Sequence, residues 1–152
     1  MRARATIKFL CIPAITFLSA NVVFAQCEIK ITAPEHNSVV SYNNERSEEK
    51  SFTFIVEGTV TDLGNNSICI YQKVSSDSQD WWRSGDPITQ ESLGPNGAWS
   101  SSYASCGKKD SPHPSCLLKA VVQKECLASG MTTPTIGETL CSTAAYKFKT
   151  NP

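Results

Sequence analysis

The chain has 152 residues, of which 40% are hydrophobic, with 14 basic and 14 acidic side chains. That balance excludes the strongly basic face that nucleic-acid binding asks for and the polybasic segment of a membrane-surface protein. The length suits one domain built around a single core.

Residues 1–25 read as a secretory signal peptide. Arg2, Arg4 and Lys8 form a basic start, "FLCIPAITFLSA" follows as an apolar stretch, and Val23 and Ala25 are the small residues before Gln26. Pro13 and Asn21 interrupt the apolar run, which is too short for the roughly 20 residues of a membrane span. Gln26 before Cys27 departs from a lipoprotein box. Cleavage after Ala25 predicts a single mature domain over residues 26–152 with a net charge of −3, because three basic and no acidic residues leave with the leader. The expected location is secreted or periplasmic, with no membrane insertion after cleavage.

Cysteine usage agrees with export. Cys11 leaves with the leader, and Cys27, Cys69, Cys106, Cys116, Cys126 and Cys141 remain. An even set in an exported chain predicts disulfides. No CxxC knuckle or spaced histidine pair points to a metal. Short loops favour Cys106 with Cys116 and Cys126 with Cys141, leaving Cys27 with Cys69, although spacing alone does not fix the pairing.

Alternation with a period of two recurs along the chain. "CEIKITAP" puts Cys27, Ile29 and Ile31 on one face, ending at Pro34, and "SVVS" is a short apolar piece. "SYNNERSEEK" is a solvated loop of mixed charge. "SFTFIVEGTVTD" predicts one long half-buried strand, with Phe52, Phe54, Val56, Gly58 and Val60 on its inner face. "SICIYQKV" is apolar on both faces, as a central strand is. "GAWSSSY" aligns Trp99, Ser101 and Tyr103, and Trp99 is expected in the core. "CLLKAVVQKEC" aligns Leu118, Ala120 and Val122 against solvent-facing Lys119, Gln123 and Glu125. "AAYKFKT" aligns Tyr146 and Phe148 against Lys147 and Lys149. Between these runs, "DLGNNS" and "SSDSQD" are turns, and Asn96-Gly97 predicts a hairpin through its tolerance of positive φ. "GKKDSPHPS" and "LASGMTTPTIGE" are longer loops. About seven short strands at this spacing predict an all-β fold, an antiparallel sandwich stapled by disulfides.

"ITAPEHNSVVS", "FTFIVEGTVTD", "SICIYQKV", "WWRSGDP", "GPNGAWS" and "CLLKAVVQ", in this order, resemble the bacterial secreted immunoglobulin-like domains. The resemblance covers most of residues 28–126, with "AAYKFKT" as the last strand. It implies an Ig-like or fibronectin-like β-sandwich and a role in adhesion, surface display or spacing. The six cysteines are not a general feature of that family.

The candidate site centres on "SQDWWRSGDP". On an extended chain Trp81 and Trp82 point to opposite faces, so one indole enters a core and the other meets solvent or a partner. An exposed strip of Trp81, Trp82 and Arg83 with Asp80 and Asp86 would bind a protein or a polysaccharide surface, since aromatic faces stack on sugar rings and bury into protein partners. Against catalysis stands the lack of any nucleophile motif. His36 and His113 lie in separate proline-flanked loops, and no G-x-S-x-G or H-E-x-x-H occurs. Glu48-Glu49, Asp77 and Asp80 match a glycosidase pair only by residue type. "SSDSQD" lacks calcium-loop spacing. Asn65-Asn66-Ser67 is an N-x-S sequon, for which no glycan is expected in a bacterial setting. The sequence thus predicts a binding module with no cofactor, no metal and no enzymatic activity. A small disulfide-rich inhibitor or immunity factor for an exported enzyme is the rival reading.

Overall fold

The computed structural model describes residues 26–41, 51–74, 80–108 and 115–151, with side chains except at 41, 51, 52, 105–108, 150 and 151. Residues 1–25 with Cys11, residues 42–50 with Glu48 and Glu49, Asp77 and His113 lie outside the described residues. Among those described, β-strands dominate and helix is limited to the 3-10 turns Gln90–Ser92 and Pro95–Gly97, as the all-β expectation requires.

One sheet contains β1 (Glu28–Ala33), β4 (Glu57–Thr61) and β7 (Ala98–Ser100), in the order β1-β4-β7. β3 (Ser51–Phe54) and β8 (Ala104–Lys108) form a separate two-stranded ribbon. The single long strand expected over 51–61 is therefore two strands, interrupted at Ile55 and Val56. The interruption is stitched by two bonds: the Ser101 N–H donates to the Val56 carbonyl at 2.8 Å, and the Val56 N–H donates to Ser101 Oγ at 2.8 Å. Burial still alternates through the break. Phe54, Val56, Gly58 and Val60 are buried, while Ile55, Glu57 and Thr59 are exposed.

The larger sheet runs β10-β6-β5-β9-β12-β2, from Thr132–Thr133, Trp81–Ile88, Ser67–Val74, Ser115–Gln123, Tyr146–Asn151 and Val39–Ser41 respectively, with β11 (Cys141–Ser142) also paired to β9. β5 is central and buried on both faces, as its sequence predicts. Two expectations are corrected here. β12 pairs with β2 in parallel, so the sheet is not wholly antiparallel. There are also twelve strands among the described residues rather than about seven, because the long strand over 51–61 is broken in two and β6 (Trp81–Ile88), β8, β10 and β11 (Cys141–Ser142) add to the runs read from alternation.

A single cluster joins the two sheets. Ile29, Ile31, Val56, Val60 and Trp99 from the smaller sheet pack with Ile68, Ile70, Leu118, Ala120, Val122 and Phe148 from the larger. Large aliphatic and aromatic side chains taken out of water on both inner faces are what hold two such layers together. Asn96 and Gly97 do take positive φ, at 57° and 72°. They do not close a hairpin, however. β7, which follows them, pairs with β4 rather than with β6, so this turn carries the chain from one sheet to the other.

Two disulfides are fully described, Cys27–Cys141 and Cys69–Cys126. They correct the expected Cys126–Cys141 and Cys27–Cys69 pairs, and strand parity explains why. Cys141 lies opposite Val122, a core residue, and so faces inward toward β1. Cys69 lies opposite Val121, whose side chain is on the outer face. The two cysteines thus face opposite sides of one sheet, and each bonds to what lies on its own side. Cys116 is disulfide-bonded as well, while the Cys106 side chain lies outside those described. Disulfides persist in oxidising compartments, which agrees with a non-cytoplasmic chain. Among the described residues no helix is long and apolar enough to cross a membrane.

Candidate binding surface

β6 carries every residue of the expected strip except Asp80, which is half-buried just before it. Its register decides what each side chain meets. Trp82 lies opposite Gln72, and Gln72 lies opposite Leu118. Since Leu118 belongs to the core, Trp82 stands on the core-facing side of the sheet, yet at its end, where 48% of the residue remains exposed. Val74, two residues beyond Gln72 on the same side, is 36% exposed. These two side chains make an apolar margin at the end of the sandwich.

Trp81 points the other way and is the better covered ring. It packs on the outer face against Cys69, Tyr71 and Val121 with Cys126, Leu127 and Ile136. The Lys73 Nζ sits 5.0 Å from its ring centroid, a cation–π distance. The cover is the segment 124–140, a strap that leaves the end of β9, is pinned by Cys126 to Cys69, pairs as β10 with Trp81 and Trp82, and returns at β11. The same cover explains why Val121 and Gln123 are buried although Gln123 was expected to face solvent.

Arg83 does not join an exposed strip, which corrects that expectation: the residue is 2% exposed. It lies opposite Tyr71 on the outer face, beneath the strap. Its backbone N–H donates to the Met131 carbonyl at 2.9 Å, and its carbonyl accepts from the Gly130 N–H at 2.8 Å. The guanidinium turns along its own strand. Nη1 donates to the Ser84 carbonyl and, at 3.0 Å, to the Gly85 carbonyl. Burial pushes the guanidinium below its ordinary range, partly offset by Tyr71, Asp86 and Tyr103. Asp86 is exposed, and its N–H donates to Ser102 Oγ at 3.1 Å. It sits in a bulge of β6, where Gly85 has φ of 70° and the register with β5 shifts. Of the five strip residues, the structure therefore leaves Trp82 and Asp86 exposed.

Sequence reasoning missed the pair Tyr71 and Gln123. Gln123 Nε2 donates to Tyr71 Oη at 2.9 Å and to the Glu125 carbonyl at 2.7 Å beneath the strap. The unbroken apolar run "ICIY", rather than an alternating one, was the available signal that both faces of β5 are covered. His36 has a local role: its Nδ1 accepts from the Lys147 N–H at 3.3 Å, and its ring meets Tyr146 edge-on at 5.6 Å.

No family model, curated protein or solved structure matches this chain.

Proposed function

We propose that this protein is an exported, non-catalytic binding module with an immunoglobulin-like sandwich, and that its contact surface is the Trp82 margin. The observation that carries the reading is the half-exposed indole of Trp82, on a rigid strand and beside the exposed Val74. A large aromatic held on a sheet offers contact area at little cost in conformational freedom, and such residues dominate binding surfaces. The partner is a protein or a polysaccharide surface. The two-layer core and the disulfides support a sandwich of the exported kind.

The test is retention of ligand by the immobilised, oxidised protein, with a Trp82→Ala version alongside and both exposed to envelope extract, culture supernatant and a polysaccharide panel. The reading expects a retained partner that Trp82→Ala loses while its melting temperature stays near that of the parent. One dominant protein at near-equal stoichiometry identifies a protein target, and retention by glycan alone identifies carbohydrate. Equal retention by both versions sinks the assignment to Trp82.

A further inference from the structure

Arg83 spends one nitrogen on its own strand and leaves two unused. Nη1 is held by the Ser84 and Gly85 carbonyls. Nε and Nη2 are buried and meet no acceptor among the described residues. These two share one edge of the guanidinium plane, the edge that grips a carboxylate through two parallel N–H···O bonds. The Nη1 bonds fix that plane, so the free edge is already oriented. Buried donors are nearly always paired, and an unpaired edge on a buried cation is costly. Nearby, Gln123 Oε1 is also buried without a partner among the described residues.

Over Arg83 itself the strap is held by two backbone hydrogen bonds, from the Arg83 N–H to the Met131 carbonyl and from the Gly130 N–H to the Arg83 carbonyl, and by the β10 pair. β10 is two residues long. Gly130, Met131 and Thr132 are exposed, and a side chain added at Gly130 would meet nothing within 4 Å. Short segments open locally at lower cost than full strands, and opening of the part beyond Cys126, with Cys126 still tethered to Cys69, would uncover the guanidinium.

We propose that the free edge of Arg83 is a carboxylate-binding site gated by the strap 124–140. The ligand is monoanionic, because the site offers one cation and a dianion such as phosphate would bury an excess charge beside Asp86. The carboxylate comes from a small organic acid or from an acidic side chain of a protein partner. The site is separate from the Trp82 margin and does not depend on it.

The experiment follows the Arg83 Nε–H resonance of the oxidised, nitrogen-15-labelled protein during titration with acetate, against chloride at equal ionic strength. A saturable shift with acetate and a weaker response to phosphate are expected. Arg83→Met should abolish the accompanying rise in melting temperature. Arg83→Lys, which keeps the charge but lacks the two-donor edge, should bind acetate roughly tenfold or more weakly. Trp82→Ala should respond like the parent. A glutamate-bearing peptide that displaces acetate supports a protein carboxylate, and one that does not supports a small acid. An Arg83 Nε–H resonance that acetate moves no more than chloride does overturns the site, whatever the variants do.

Discussion

Gly58 and Trp99 face each other across the β4–β7 pair, and the indole of Trp99 lies where a side chain on Gly58 would stand. A Cβ at Gly58 would meet both the Trp99 ring and the Lys30 carbonyl. Backbone cannot move aside as a flexible side chain can, so Gly58→Ala should lower stability by about 3 kcal/mol. Urea unfolding followed by tryptophan fluorescence measures this, and a loss near zero would mean that the indole repacks freely.

Ser101 tests the break between β3 and β4. Its hydroxyl accepts the buried Val56 N–H, and Ser101→Ala leaves that donor without its partner. Unsatisfied buried donors cost about 1–3 kcal/mol. The midpoint of chemical unfolding should fall accordingly with the slope unchanged, and an unshifted midpoint would show that the stitch contributes nothing.

The two described bridges close sequence separations of 114 and 57 residues, a twofold difference. Loop-closure entropy grows only logarithmically, so doubling the loop adds about 0.6 kcal/mol. Replacing either cysteine pair by alanines should cost about 2–4 kcal/mol, with the Cys27–Cys141 loss only slightly larger. Thermal unfolding of the two double variants tests this. A much larger loss for Cys69–Cys126 would show that pinning the strap matters more than loop length.

Trp81 and Trp82 should behave differently on truncation. Trp81 packs between the strap and Tyr71, and Trp81→Ala should cost about 2 kcal/mol, below the range for a fully buried indole. Trp82→Ala should cost less, about 1 kcal/mol, because half of the residue already meets solvent. Similar losses in both variants, read by calorimetry, would contradict the assignment of covered and exposed rings.

The strands were legible wherever burial follows the backbone's own period. Residues 54–60 alternate as their sequence does, even across a break in pairing, and the apolar run of β5 announced its central place. What could not be read is cover supplied from far along the chain. The strap has no periodic pattern of its own, yet it buries Val121, Gln123 and Arg83. Nothing in "WWRSG" distinguishes an arginine under a strap from one in water, so Arg83 read as surface. The cysteine pairing failed for a related reason. Proximity in sequence was a poor guide because strand parity sends Cys69 and Cys141 to opposite faces. The Asn96-Gly97 signal was sound as backbone chemistry, but it did not say which sheet the chain would enter next.

The rim of the larger sheet carries one more consequence. A long bare outermost strand invites a neighbour's chain to add to it, the route to uncontrolled polymerisation. Here one border is β2, three residues long, and the other is β10, two residues long. Where β10 stops, β6 offers the bulge at Gly85 and then Pro87, which has no N–H to donate. Template surface is therefore scarce while the strap is pinned to Cys69. Made where thiols stay reduced, the chain would lose that pin and uncover Trp81 at the border. Inclusion bodies in a reducing cytosol, and discrete monodisperse protein from an oxidising one, are the outcome this border predicts.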